Sequence, residues 1–204
     1  RLTVDARANL IRDKADNRPV LGDLAGNVNY NIMFLPTSLD VRTLKPGTKA
    51  DGLTEMQFTN SVYATNPWYS ADFFIHNTLR NRLVGSASAR YTFDNGIFAQ
   101  IRAGQDSYND RYSNIVPTGA AYYPVANQHI SEQFNKTSEF NTDILLGGLL
   151  LKPTEGLTIT PSIGANLTKA RSENTTENGL NYAVPYVYTI LNARNQSITY
   201  SKPR

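Results

Sequence analysis

LRNRLVGSASARYTFDNGIFAQIRAGQD, residues 79–106, alternates in polarity on both sides of a tight turn. Leu79, Leu83, Gly85, Ala87, Ala89, Tyr91 and Phe93 fall on one face, against Arg80, Arg82, Ser86, Ser88, Arg90 and Thr92. Asp94-Asn95-Gly96 then supplies residues that tolerate positive φ, the requirement of a short hairpin turn. Beyond it Ile97, Ala99, Ile101 and Ala103 alternate with Gln100, Arg102, Gly104 and Asp106. Period two over so many residues predicts two antiparallel strands of the length a tilted strand needs to cross a bilayer, about 9–11 residues.

The same pattern recurs along the chain. Leu2, Val4, Ala6, Ala8 and Leu10 oppose Thr3, Asp5, Arg7 and Asn9. Phe140, Thr142, Ile144, Leu146, Gly148 and Leu150 share a face, although Leu145, Leu149 and Leu151 blur the opposite one. After a turn at Lys152–Gly156, Leu157, Ile159, Pro161, Ile163, Ala165 and Leu167 alternate with Thr and Asn. Strands are therefore expected near 2–14, 78–93, 97–110, 138–152 and 157–171, with Ser197–Tyr200 as the candidate start of a sixth. Long polar connections are expected near 18–77, 114–132 and 174–196. Two short turns set against three long loops match the asymmetry of outer-membrane barrels, with short periplasmic turns and long extracellular loops. Tyr91, Phe93, Tyr108, Tyr112, Phe134 and Phe140 sit near strand ends, where interfacial girdles lie.

Composition narrows the classes further. Charged residues are only 18% of the 204-residue chain, and the net charge of +3 is not gathered into a basic block. That argues against nucleic acid as a partner. Cysteine is absent, so neither a disulfide framework nor a thiolate metal site is available. His76 and His129 lack a Cys or carboxylate at ligand spacing. No nucleophile elbow or phosphate-binding glycine loop appears. Neither catalysis nor a cofactor is expected. Soluble sandwich strands run to about five or six residues, roughly half the length seen here.

Five or six strands are too few to close a lumen, and an open edge in lipid leaves backbone groups unpaired. The expectation is all-β: antiparallel transmembrane β-barrel strands with long extracellular loops, cut from a longer chain.

Several segments resemble the SusC/RagA-type TonB-dependent transporters of Bacteroidetes. Leu2–Asn9 resembles a barrel strand after the plug, and Asn17-Arg18-Pro19 its entry to an outer loop. Phe34–Arg42 is similar to the loop segment that follows, and Asn66-Pro67-Trp68-Tyr69 to a recurrent Asn-Pro-Tyr-Trp with the aromatics exchanged. Arg80–Gly85 resembles the next strand, while Gly179-Leu180-Asn181, Val184-Pro185 and Tyr188 are like a later loop signature. The resemblance implies a plugged barrel of about 22 strands in the bacterial outer membrane, of which this chain is an early-to-middle quarter. It implies import of oligosaccharides or peptides with TonB energy, beneath a SusD-like surface lipoprotein acting as a lid. The plug, the TonB box and the amino-terminal extension of the family are not among these residues.

Two groups of side chains are candidates for function. Arg7, Arg82, Arg90, Arg102 and Asp106 lie on the polar strand face, where lipid would penalise them, and are expected to face the lumen. They would either guide substrate or hydrogen-bond the plug and neighbouring strands. Trp68, Tyr69, Phe73 and Phe74, with Tyr122, Tyr123 and Tyr186, are candidates for stacking on sugar or packing on a partner. The competing reading makes them the loops' own small core. Other functions consistent with the pattern are a passive porin or surface-adhesin barrel, or a soluble glycan-binding β-protein.

Overall fold

A computed structural model describes residues 1–148 and 150–202, so Leu149, named above, lies outside the described residues with Pro203 and Arg204. The chain is mostly antiparallel β. Strands β1 (Leu2–Ala15), β2 (Ile75–Thr92), β3 (Phe98–Ile115), β4 (His129–Gly147), β7 (Ser162–Tyr182) and β8 (Ala193–Ser201) form one six-stranded sheet in that spatial order. A small separate hairpin pairs β5 (Leu151–Thr154) with β6 (Leu157–Ile159). Two short helices, α1 (Val28–Ile32) and α2 (Pro67–Phe73), lie in the first long connection. The sheet does not close on itself; β1 and β8 are its edges.

Local chemistry sets the short turns. Phe93 N donates to Ile97 O at 2.8 Å and Gly96 N to Phe93 O at 3.0 Å, with Gly96 at φ 84°. This is a three-residue hairpin loop whose left-handed position glycine fills. At the Lys152–Gly156 turn the left-handed position is Gly156, φ 87°, and just past β4 Gly148 has φ 94°, where a Cβ would collide with Gly96 O.

Strand limits differ from the sequence reading in an instructive way. β4 starts at His129 and not near 138, and β7 runs on to Tyr182. The two later loops shrink accordingly. The alternating run 157–171 is split, because Pro161 has no N–H to donate and separates β6 from β7. The Phe140–Leu150 alternation ends at Gly147, before the left-handed Gly148.

Register places each face. Ala6, Ala87, Ala103, Thr142 and Leu167 lie in one transverse row. Leu2, Tyr91, Ala99, Leu146 and Ile163 form another on the same face. No other part of the described chain is a layer over that face. Leu10 is 80% exposed, Ile163 72% and Leu167 65%. The buried side chains collect instead at the long-loop end, around Tyr69, Phe74, Val116 and Ala120.

Candidate functional site

Three features organise the candidate site: an apolar band, a polar wall behind it, and a loop platform above both. The band's upper edge falls after Leu10 on β1, Leu83 on β2, Phe140 on β4 and Leu167 on β7; on β3 the last apolar position is Ala103, with Gln105 next on this face. Leu167 lies in register with Ala6, so the edge drops four residues over the four steps from β1 to β7. At about 3.3 Å per residue and about 4.8 Å per strand, the band crosses the strands with a slope of about 35°. Among the described residues no helix is long and apolar enough to cross a membrane.

On the opposite face, arginines and acids pair across strands. Arg80 Nε donates to Asp110 Oδ1 at 2.7 Å, Arg82 Nε to Asp106 Oδ1 at 2.9 Å, and Arg102 Nε to Asp143 Oδ1 at 2.8 Å. The Arg90 guanidinium lies 3.7 Å from the centroid of the Phe98 ring. Arg7, opposite Ser86, is the candidate wall arginine without an ion pair or aromatic partner among the described residues. The wall is thus self-satisfied along β2–β4 and open at Arg7.

The platform is built from all three long loops. In the first, Asn66 caps α2 by accepting from Trp68 N at 3.0 Å, with Pro67 at the first helical position. Its amide Nδ2 also donates to Leu44 O and Met56 O, at 3.1 and 2.9 Å. Asn66-Pro67 is therefore a structural clasp. Trp68 is half-buried; its Nε1 donates to Val41 O at 2.8 Å, and Lys45 Nζ lies 4.8 Å from the ring centroid.

Tyr69 is 0% exposed, stacks on Phe73 at 4.6 Å and meets Phe74 edge-on at 6.3 Å. Its hydroxyl lies 3.2 Å from Leu53 O and 2.9 Å from Thr118 O, joining the first loop to the second. Glu55, 2% exposed, makes a parallel joint: Oε1 accepts from Asn66 N at 2.9 Å and Oε2 from Ala121 N at 2.7 Å. The third loop joins through Tyr188 Oη, which accepts from Thr118 N at 3.2 Å, and Tyr186 N, which donates to Thr118 Oγ1 at 3.2 Å.

Of the aromatic candidates, Tyr69 and Phe74 are core residues of this platform, withdrawn from any ligand. Phe73, Tyr122 and Tyr123 pack against that core while keeping some surface. Tyr186, half-buried, reaches over Thr54 with a 3.5 Å hydroxyl contact. The more exposed loop side chains are ones the sequence reading did not select: Leu21 at 86%, Met33 at 82%, Tyr63 at 66% and Leu191 at 88%. Isolated apolar residues in polar loops carry no periodic signal in the sequence. His76 lies in β2 and His129 opens β4; no three His, Cys, Asp or Glu side chains gather at metal distance among the described residues.

Two loop carboxylates make the platform sensitive to pH. Burial pushes the Glu55 carboxyl above its ordinary 4.5, although backbone donors from Ala121 and Asn66 oppose it. Its contribution to stability is full below 4.5 and lost as pH rises through the raised value. The Thr54 hydroxyl, with the Leu53 and Thr54 amides, lowers Asp51 from 3.8 to about 2. That contribution is present above 3.8 and lost as pH falls through about 2. Amide exchange across residues 48–56 should therefore be slowest, after correction for intrinsic rates, between 3.8 and 4.5. Glu55→Gln should flatten the alkaline limb; a limb unchanged in that variant would remove Glu55 as its source.

No protein-family model matches this chain, and a search of the curated proteins finds no match.

Proposed function

We propose that this chain is a sector of the wall of an outer-membrane active transporter, of the SusC/RagA type that its motifs resemble. The observation that carries this reading is the exposed apolar band sloping about 35° across the strands. Barrel strands tilt about 35–45° from the membrane normal, so a band lying flat in a bilayer crosses them at that angle. A water-soluble sheet does not leave Leu10, Ile163 and Leu167 all more than half exposed on one face.

In this reading β1–β4, β7 and β8 are neighbours in a larger closed barrel, whose remaining strands satisfy the two open edges. The apolar face meets outer-membrane lipid. The arginine face lines the lumen, where Arg82, Arg90 and Arg102 hold the wall together and Arg7 is free to bond a plug domain. The loop platform lies outside the cell and docks a SusD-like lipoprotein lid over an oligosaccharide or peptide, with TonB supplying energy through the plug. These residues do no catalysis and hold no cofactor.

The test has two arms. The protein should be recovered in the outer-membrane fraction of its host and require detergent for extraction. Growth on the imported oligosaccharide or peptide should fall to background when TonB is deleted. Recovery in the aqueous phase would overturn the membrane assignment, and TonB-independent growth would leave a passive barrel.

A further inference from the structure

Immediately above the apolar band, on the same outward face, cations gather on β4, β7 and β8, and β1 carries Arg12 and Lys14 across the sheet at similar height. Lys169 follows Leu167 at the band's edge on β7, and Arg171 lies two residues further on. One row up, Lys136 of β4 stands opposite Glu173 of β7. Arg171 and Lys202 both contact that carboxylate, at 2.6 and 3.2 Å. Two cations thus hold this acid and Lys136 stands opposite it, while Lys136 and Lys169 have no ion-pair partner among the described residues. In the rows of Arg171 and Lys136, β2 and β3 present the uncharged Leu83, Asn81, Ser107 and Asn109 on this face, with Arg111 of β3 one row higher.

A slot opens directly above the cations. Phe134, Thr175 and Tyr200 lie in one register row across β4, β7 and β8. Two rings on outer strands, about 10 Å apart by strand spacing, rise on either side of a short threonine. The resulting concavity, about 370 Å³, is lined by Arg111, Phe134, Lys136, Glu173, Thr175 and Tyr200 among others. Both rings present free surface, Phe134 at 37% and Tyr200 at 59%. Arg111 lies 5.2 Å from the Phe134 ring centroid and 3.3 Å from Glu132, which occupies its charge.

We propose that this outward face of β4, β7 and β8 binds the phosphorylated sugar headgroup of an outer-leaflet glycolipid. The proposal rests on the outer-membrane reading above. Charge and position identify the occupant: a positive cluster continuous with a lipid-facing band meets the anionic headgroups of that same lipid. Lys136 and Lys169 take phosphate, with Arg171 and Lys202 adding charge while holding Glu173. Phe134 and Tyr200 flank a sugar ring, as aromatic faces do for the apolar faces of sugars. The acyl chains then descend along Leu167, Ala165 and Ile163.

The experiment uses the full-length protein extracted from outer membranes in mild detergent, with retained glycolipid counted by native mass spectrometry. Lys136→Gln combined with Lys169→Gln should lower retention by about 30-fold, because both charges are unpaired and neither holds the sheet together. Arg194→Gln, the same loss of charge at the loop end of β8, should change nothing. Wild-type protein in nanodiscs should retain the native glycolipid and release its dephosphorylated form, an arm that needs no variant. Equal retention by the double variant, or of the two lipid forms, overturns the proposal. Failure to fractionate with the outer membrane instead overturns the reading beneath it.

Discussion

Ala87→Arg is expected to destabilise the folded protein by about 2–4 kcal/mol, while Ser88→Arg, one residue along the same strand, should cost little. Ala87 lies between Ala6 and Ala103 in the middle of the apolar band. If the band faces lipid as proposed, a guanidinium there has neither water nor a carboxylate within reach and meets the full penalty. Ser88 points to the other face, opposite Asp5 on one side and Arg102 on the other, in a hydrated wall. The penalty should also decay with depth. Leu10→Arg, at the band's upper edge beside Arg12, should cost only about 0–1 kcal/mol. Unfolding of the full-length protein in lipid vesicles by guanidinium chloride would give all three values. In water an arginine at either face of an exposed strand is nearly neutral, so equal effects at residues 87 and 88 would sink the lipid-facing assignment.

What sequence could reveal follows from the same asymmetry. Alternation is legible only where one face is apolar and the other wet. Residues 79–106 meet that condition, and the hairpin read from them is the one the structure contains. β4 between His129 and Ser138 does not: Glu132, Lys136 and Ser138 on one face are as polar as Gln133, Asn135 and Thr137 on the other. Both sides of that stretch carry polar residues, so period two vanishes although the ladder continues. The far half of β7, from Arg171 to Tyr182, is hidden for the same reason. Pro161 shows the reverse failure, where a clean alternation masked a missing backbone donor.

The candidate site was legible in part. That Arg82, Arg102 and Asp106 share the polar face follows from parity alone, but their partners required the register. Arg82 bonds Asp106 diagonally, since it lies opposite Tyr108. For the loop aromatics sequence offered two readings and no means of choosing. Whether Tyr69 or Tyr63 is buried depends on contacts with Leu53 and Thr118, which are distant in the chain. Glu55 was not selected at all. A lone glutamate in a polar loop gives no sign that two backbone amides from different loops converge on it.

The burial of Tyr69 leads to the second large effect. Tyr69→Ala should cost the loop platform about 3–5 kcal/mol, the range for deleting a fully buried aromatic. Two terms add. The cavity removes the stack on Phe73 and the edge contact with Phe74, and loss of the hydroxyl deprives Leu53 O and Thr118 O of their bridge. Because Thr118 is also where the third loop attaches, the damage should spread to Tyr186 and Tyr188. Amide exchange there should rise sharply, and residues 16–74 of the purified protein should become more readily cleaved by protease. The strands should be unaffected, since none of their ladders includes Tyr69. Tyr69→Phe separates the two terms: it keeps the packing and should lose only about 1–3 kcal/mol. Gly119→Ala attacks the same joint from the second loop, where φ is 91° and a Cβ would sit 3.1 Å from Leu53 O. If a lid lipoprotein docks on the assembled platform, Tyr69→Ala and Gly119→Ala should both weaken its capture while Tyr69→Phe largely retains it. Exchange at Tyr186 that stays at the wild-type rate in Tyr69→Ala would show that the three loops are independent, and the platform would cease to be a unit.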